Sequence, residues 1–166
     1  MKNVTIYTDG AAKGNPGPGG YGTLLVHNGK SRALSGGFSR TTNNRMELLA
    51  AITGLEALTS PCQVTLHSDS RYLVDAMTKG WLRGWKARRW SRANNLPLKN
   101  TDLWQRLDAA TTTHDITWRW VKGHAGHPEN ERCDTLADSA ARSPNLPPDT
   151  AFLNEESRLN SQGELL

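Results

Sequence analysis

Four acidic residues sit where their carboxylates could meet at one point. Asp9 closes the alternation Val4-Thr5-Ile6-Tyr7-Thr8 and is followed by Gly10, and Asp69 closes Val64-Thr65-Leu66-His67-Ser68. Glu47 and Asp134 fall near the starts of helix-like stretches. Acids delivered by strand ends and helix first turns can converge although far apart in the chain. An all-oxygen ligand set suits Mg²⁺ or Mn²⁺ rather than zinc. Divalent cations held this way serve phosphoryl transfer.

Each acid also has an ordinary reading. Asp9-Gly10 suits a turn, Asp69-Ser70 a helix N-cap, and Asp134 the positive end of a helix. Glu47 is harder to explain so simply. Its stripe-mates are Ala50, Ala51 and Gly54, so its carboxylate is expected to be partly desolvated. An unpaired buried carboxylate is costly, and a bound cation removes that cost.

The elements that must carry these acids follow from period and punctuation. Residues 3–9 alternate as a strand; 14–20 are Gly/Pro loop chemistry; Tyr21 to His27 is a second strand, Asn28-Gly29 a hairpin turn, and Ser31 to Ser39 a third strand. Thr41-Thr42-Asn43-Asn44 is a helix start. Arg45 to Leu58 has leucines on one side and small residues on the other, a buried helix close to a sheet. Gln63 to Ser68 is a fourth strand, followed by a helix to about Lys79, a basic segment with a short helix, and a helix from Thr101 to about Ala110. A fifth strand spans Asp115 to Val121 and a last helix Glu129 to Arg142. The fold class is α/β: a five-stranded mixed sheet, three strands antiparallel plus two parallel, flanked by helices. If strands one and four are parallel neighbours, Asp9 and Asp69 share one sheet edge. Residues 143–166, Pro-rich and polar without a clear period, are read as a C-terminal tail outside the folded domain of 1–142.

A chain of 166 residues with 36% hydrophobic and 22% charged content suits one globular domain. No apolar run approaches the ~20 residues of a membrane span. A strand pattern beginning at Val4 leaves no room for a signal peptide. Cys62 and Cys133 are expected to be free thiols. Together these features point to the cytoplasm. Net charge is +4, but Lys79, Arg83, Lys86, Arg88, Arg89, Arg92 and Lys99 bring seven positive charges with no acid among them. The rest of the chain therefore carries −3 (the +4 total less seven). Trp81, Trp85 and Trp90 are interleaved with these cations, which favours a polyanion-binding surface over a merely solvated face.

Thr8-Asp9-Gly10, the loop Gly14-Asn15-Pro16-Gly17-Pro18-Gly19-Gly20-Tyr21-Gly22, Thr42-Asn43-Asn44-Arg45-Met46-Glu47-Leu48 and Ser68-Asp69-Ser70 resemble bacterial ribonuclease HI. So do Val121-Lys122-Gly123-His124-Ala125-Gly126-His127 and Asn130-Glu131-Arg132-Cys133-Asp134. The resemblance runs in order from about residue 3 to 142. It implies the ribonuclease H-like fold and an endonuclease cutting the RNA strand of an RNA–DNA hybrid as a monomer.

The resemblance makes Asp9, Glu47, Asp69 and Asp134 the ligands of two cations about 4 Å apart. The ions would be Mg²⁺, with Mn²⁺ as a possible substitute. His124 would assist water activation or product departure. Gly10, Asn15, Asn43, Asn44 and Arg71 would face the RNA strand, Arg71 standing where bacterial relatives often carry Gln. Thr42, Asn100 and Trp104 would grip a DNA phosphate, with Trp81 and Lys99 nearby. The basic segment would be the substrate-binding protrusion, Trp85 and Trp90 packing it. Gly80 reads as a one-residue insertion before that segment.

Overall fold

The computed structural model describes residues 1–94, 96–123 and 126–164, the side chains of 162–164 excepted. β1 (Lys2–Ala12), β2 (Gly17–His27) and β3 (Lys30–Thr41) form an antiparallel meander. Asn28 and Gly29 both take positive φ, 51° and 74°, as a two-residue hairpin turn with the favoured twist demands. β4 (Cys62–Ser68) pairs parallel to β1, and β5 (Asp115–Trp120) parallel to β4, giving the order β3-β2-β1-β4-β5. The expected five-stranded mixed sheet is present.

β2 starts at Gly17, so part of the Gly/Pro stretch read as loop is strand. The reason is packing. A Cβ on Gly22 would collide with the Cys133 carbonyl of α5 (Pro128–Ala141), so glycine here lets that helix lie directly on the sheet. On the opposite face lies α1 (Asn43–Glu56), whose Gly54 sits against Ile6 and Thr23. α1 is buried almost all round, as its leucine and alanine stripes predict. The core joins Ile6 and Leu66 to Met46, Leu48, Ile52 and Leu55 of α1 and to Leu107 of α4 (Thr101–Thr111).

α2 (Arg71–Thr78) follows β4, and Gly80, at φ 77°, turns the chain into α3 (Trp81–Ala87). That positive φ is the local conformation the extra glycine supplies. Cys62 and Cys133 are free and buried, and burial pushes the Cys133 thiol up to about 12.

The segment read as a tail contains a helix, α6 (Thr150–Glu164). Asp149 at its entry is buried against Arg45, the Ser39 N–H donates to the Pro147 carbonyl, and Phe152 is buried. No helix among the described residues is long and apolar enough to cross a membrane.

Candidate active site

Parallel pairing of β1 with β4 runs from Lys2–Cys62 to Tyr7–His67, whereas β1 continues with β2 to Ala12–Gly19. The two central strands thus part after Tyr7. Asp69, just past the end of β4, and Asp9, still inside β1 because that strand runs on to Ala12, flank the opening on the side where α/β sheets build sites. The cap of α2 is Ser70, whose hydroxyl accepts from the Leu73 N–H, so the capping role considered for Asp69 belongs to its neighbour.

α1 delivers Glu47 to the same opening. A Cβ on Gly10 would clash with the main chain of Met46 and Glu47, so only glycine lets β1 approach the start of α1 this closely. The Gly10 N–H then donates to Glu47 Oε1 at 3.1 Å. Glu47 Oε2 is buried without a hydrogen-bond partner. Asp9, Glu47 and Asp69 each place a carboxylate oxygen so that all three lie within 4.8 Å of one another. Burial, then the charges of Asp9 and Asp69, hold the Glu47 carboxyl well above its ordinary range, opposed by the Gly10 hydrogen bond. Crowded carboxylates and an orphaned buried oxygen fit a hard divalent cation.

Asp134 comes from the second turn of α5, later in its helix than the sequence suggests. It lines the same cleft of about 420 Å³, outside the close group of three. Gly10, Asn43, Asn44 and Arg71 line this cleft too. Asn15 stands apart, its Oδ1 accepting from the Asn43 N–H at 3.0 Å. The Arg71 guanidinium lies 3.8 Å from the centre of the Trp120 ring, and Trp120 Nε1 donates to the Asp69 carbonyl. Trp120 went unassigned in the sequence. His124 lies outside the described residues.

A family model described as RNase H matches residues 1–142. The chain belongs to the RNase H family. It is 59% identical over 152 residues to Ribonuclease H of Shewanella loihica, covering 92% of this chain and 96% of that one. It is 58% identical over 146 residues to Ribonuclease H of Escherichia coli O139:H28, covering 88% and 94%. The crystal structure of LC9-RNase H1, a type 1 RNase H with the type 2 active-site motif, superposes with TM-score 0.75 at 35% identity, over 85% of this chain and 72% of that one. The protein is thus a nuclease of the RNase H family.

In this RNase H a second cleft lies beside the first, lined by Asn15, Thr42, Asn44, Lys99, Asn100 and residues of α6. Thr42 caps α1, its hydroxyl accepting from the Arg45 N–H. Asn100, at φ 61°, precedes α4 and donates through Nδ2 to the Tyr72 hydroxyl. Trp104 requires a correction: it is fully buried, donates to the same Tyr72 hydroxyl at 3.1 Å, and stacks at a tilt on Trp85 and Tyr72. It lies behind Asn100, sharing the Tyr72 hydroxyl with it, and is not part of the cleft lining. Trp81 is exposed, with Lys79 Nζ 5.9 Å above its ring.

On the basic segment, Arg83, Arg88, Arg89 and Arg92 are exposed. Lys79 and Lys86 pair with Asp75 and Asp108, acids from outside the segment that a linear charge count does not register. Trp85 and Trp90 pack inward, as expected.

Arg45, two residues before Glu47, was also unassigned. Its guanidinium is buried and donates to Asp149, Asp102 and the Asn100 side chain. Its one sequence signal is that it is the lone cation of α1.

Proposed function

We propose that this RNase H cleaves the RNA strand of RNA–DNA hybrids endonucleolytically, as a cytoplasmic monomer, with Asp9, Glu47, Asp69 and Asp134 holding two Mg²⁺ ions. The observation that carries this is the Glu47 Oε2 atom, buried and unpartnered within a group of three carboxylates. Two bound divalent cations would supply Lewis acidity, lowering the pKa of the attacking water and stabilising charge on the departing 3′ oxygen. Mn²⁺ satisfies the same ligand chemistry.

The chain's own contribution is placement. The rigid sheet edge and α1 hold the acids before substrate arrives, so little reorganisation is required at the reacting phosphate. Water attacks in line, the 3′ oxygen leaves, and the ends are 5′-phosphate and 3′-hydroxyl. No covalent enzyme intermediate is required. His124 assists the proton movement, imidazole being a side chain suited to proton transfer at neutral pH.

Discrimination of RNA requires contact with the 2′-hydroxyl. Gly10, Asn43, Asn44 and Arg71 line the carboxylate cleft, and Asn15 fixes the Asn43 backbone. Arg71, stacked on Trp120, presents a pre-oriented cation beside the acids. Thr42, Lys99 and Asn100 line the neighbouring cleft, where the DNA strand lies, with Trp81 and the arginines of the basic segment extending the contact.

The deciding experiment compares RNA–DNA hybrid, duplex DNA and duplex RNA as substrates, with Mg²⁺ and with chelator. Cutting of the hybrid's RNA strand alone, abolished by chelator, is expected. Equal cutting of duplex DNA, or cutting that survives chelation, would refute the proposal.

A further inference from the structure

Helix α6 places two consecutive acids on donors that a phosphate would use. The Asn100 main-chain N–H donates to Glu155 Oε2 at 3.0 Å. Arg40 donates to Glu156 through Nε and Nη2, at 3.1 and 2.8 Å. This paired fork is the geometry by which a guanidinium grips a phosphodiester. Glu155 and Glu156 line the cleft of about 350 Å³ that also contains Thr42, Lys99 and Asn100. The helix is positioned by its beginning: Asp149 is held by Arg45 and by the Thr41 hydroxyl, and Phe152 is buried. The two glutamates are thereby presented to the cleft by a fixed first turn.

A phosphate bound here would use the same kinds of donor that these carboxylates now occupy. We propose that Glu155 and Glu156 stand in for backbone phosphate in the unbound enzyme, so that a bound strand reaches Asn100 and Arg40 only by displacing them. The inference rests on the hybrid-binding reading above, and it makes both glutamates determinants of hybrid affinity. It also adds Arg40 to the strand-binding surface, masked by its partner until substrate arrives.

The test measures dissociation constants for a labelled RNA–DNA hybrid in chelator, so that nothing is cut. The proteins are the native chain, Glu155→Gln, Glu156→Gln and the double variant, each with and without Arg40→Gln. Glutamine keeps the size of the side chain and removes the charge, and the single variants stand if the double one folds poorly. The double variant should bind about 5-fold tighter or more at low salt, the scale of releasing one exposed ion pair and one hydrogen bond to a carboxylate. Arg40→Gln should change affinity little in the native chain and weaken it several-fold once Glu156→Gln has unmasked the guanidinium. A general loss of negative charge would tighten binding without making the Arg40 effect depend on Glu156. Unchanged or weaker binding by the glutamine variants, or an Arg40 effect equal in both backgrounds, overturns the inference. A native chain that does not bind the hybrid overturns the hybrid reading itself; a native chain that binds, with indifferent variants, overturns only the role of α6.

Discussion

Arg45 and Glu47 stand two residues apart on α1, both almost wholly buried, 2% and 4% exposed. Arg45 donates five hydrogen bonds, to two aspartates and an asparagine. Glu47 accepts one from Gly10, keeps an oxygen without a hydrogen-bond partner, and has the charges of Asp9 and Asp69 for neighbours. Burying a charge is costly, and chains normally offset that cost internally. Around Arg45 this one does; around Glu47 it gathers more charge of the same sign. The contrast separates a structural ion cluster from the cation site proposed above.

The strongest way to break this contrast is to remove one of the gathered acids. Asp9→Asn should reduce hybrid cleavage by about 10³-fold or more, the scale of losing a preorganised electrostatic group. In chelator the same variant should be as stable as the native chain or more so, because one repelling charge is gone. Cleavage is followed on labelled hybrid and stability by thermal melting. A large drop in melting temperature in chelator would make Asp9 a structural residue and remove the distinction.

The opposite behaviour is expected two residues away. Arg45→Met leaves Asp149 buried and without its guanidinium, and should cost about 3–4 kcal/mol of stability. Guanidinium as donor and two carboxylates as acceptors hold α1, α4 and the entry to α6 together, and burial outweighed by those bonds keeps the Arg45 pKa raised. Denaturant unfolding measures the loss. The folded variant should still gain stability on adding Mg²⁺, since the carboxylate cleft is intact. Loss of the Mg²⁺ response with native stability would place Arg45 in the wrong class.

Much of this was legible in the chain. The alternation before Asp9 and Asp69, the Asn28-Gly29 turn and the two-sided apolar pattern of α1 are local signals, and each produced the element it announced. The convergence of Asp9, Glu47 and Asp69 followed from placing strands one and four side by side. What escaped depends on distant partners. α6 is held by contacts between Asp149 and Arg45, 104 residues apart, so its own polar sequence announces little. Trp104 follows a cationic segment and reads as accessible, but Tyr72 and Trp85 enclose it. Lys79 and Lys86 count as free charges until α2 and α4 supply Asp75 and Asp108.

The finest probe of the contrast is titration. Burial and two neighbouring carboxylates raise the Glu47 pKa well above the ordinary 4.5 in the folded, cation-free protein. Between the ordinary and the raised value the native state therefore binds more protons than the unfolded chain. Stability must then fall as pH rises through that window and level off above the raised value. Glu47→Gln does not titrate and escapes this decline. In chelator, the stability of Glu47→Gln relative to the native chain should grow from pH 4 upward, read by denaturant unfolding at each pH. Added Mg²⁺ should reverse the order at neutral pH, because an ion that binds only the folded native chain stabilises it by mass action. A stability difference that stays flat with pH, and is indifferent to Mg²⁺, would mean that Glu47 is as well satisfied as Arg45.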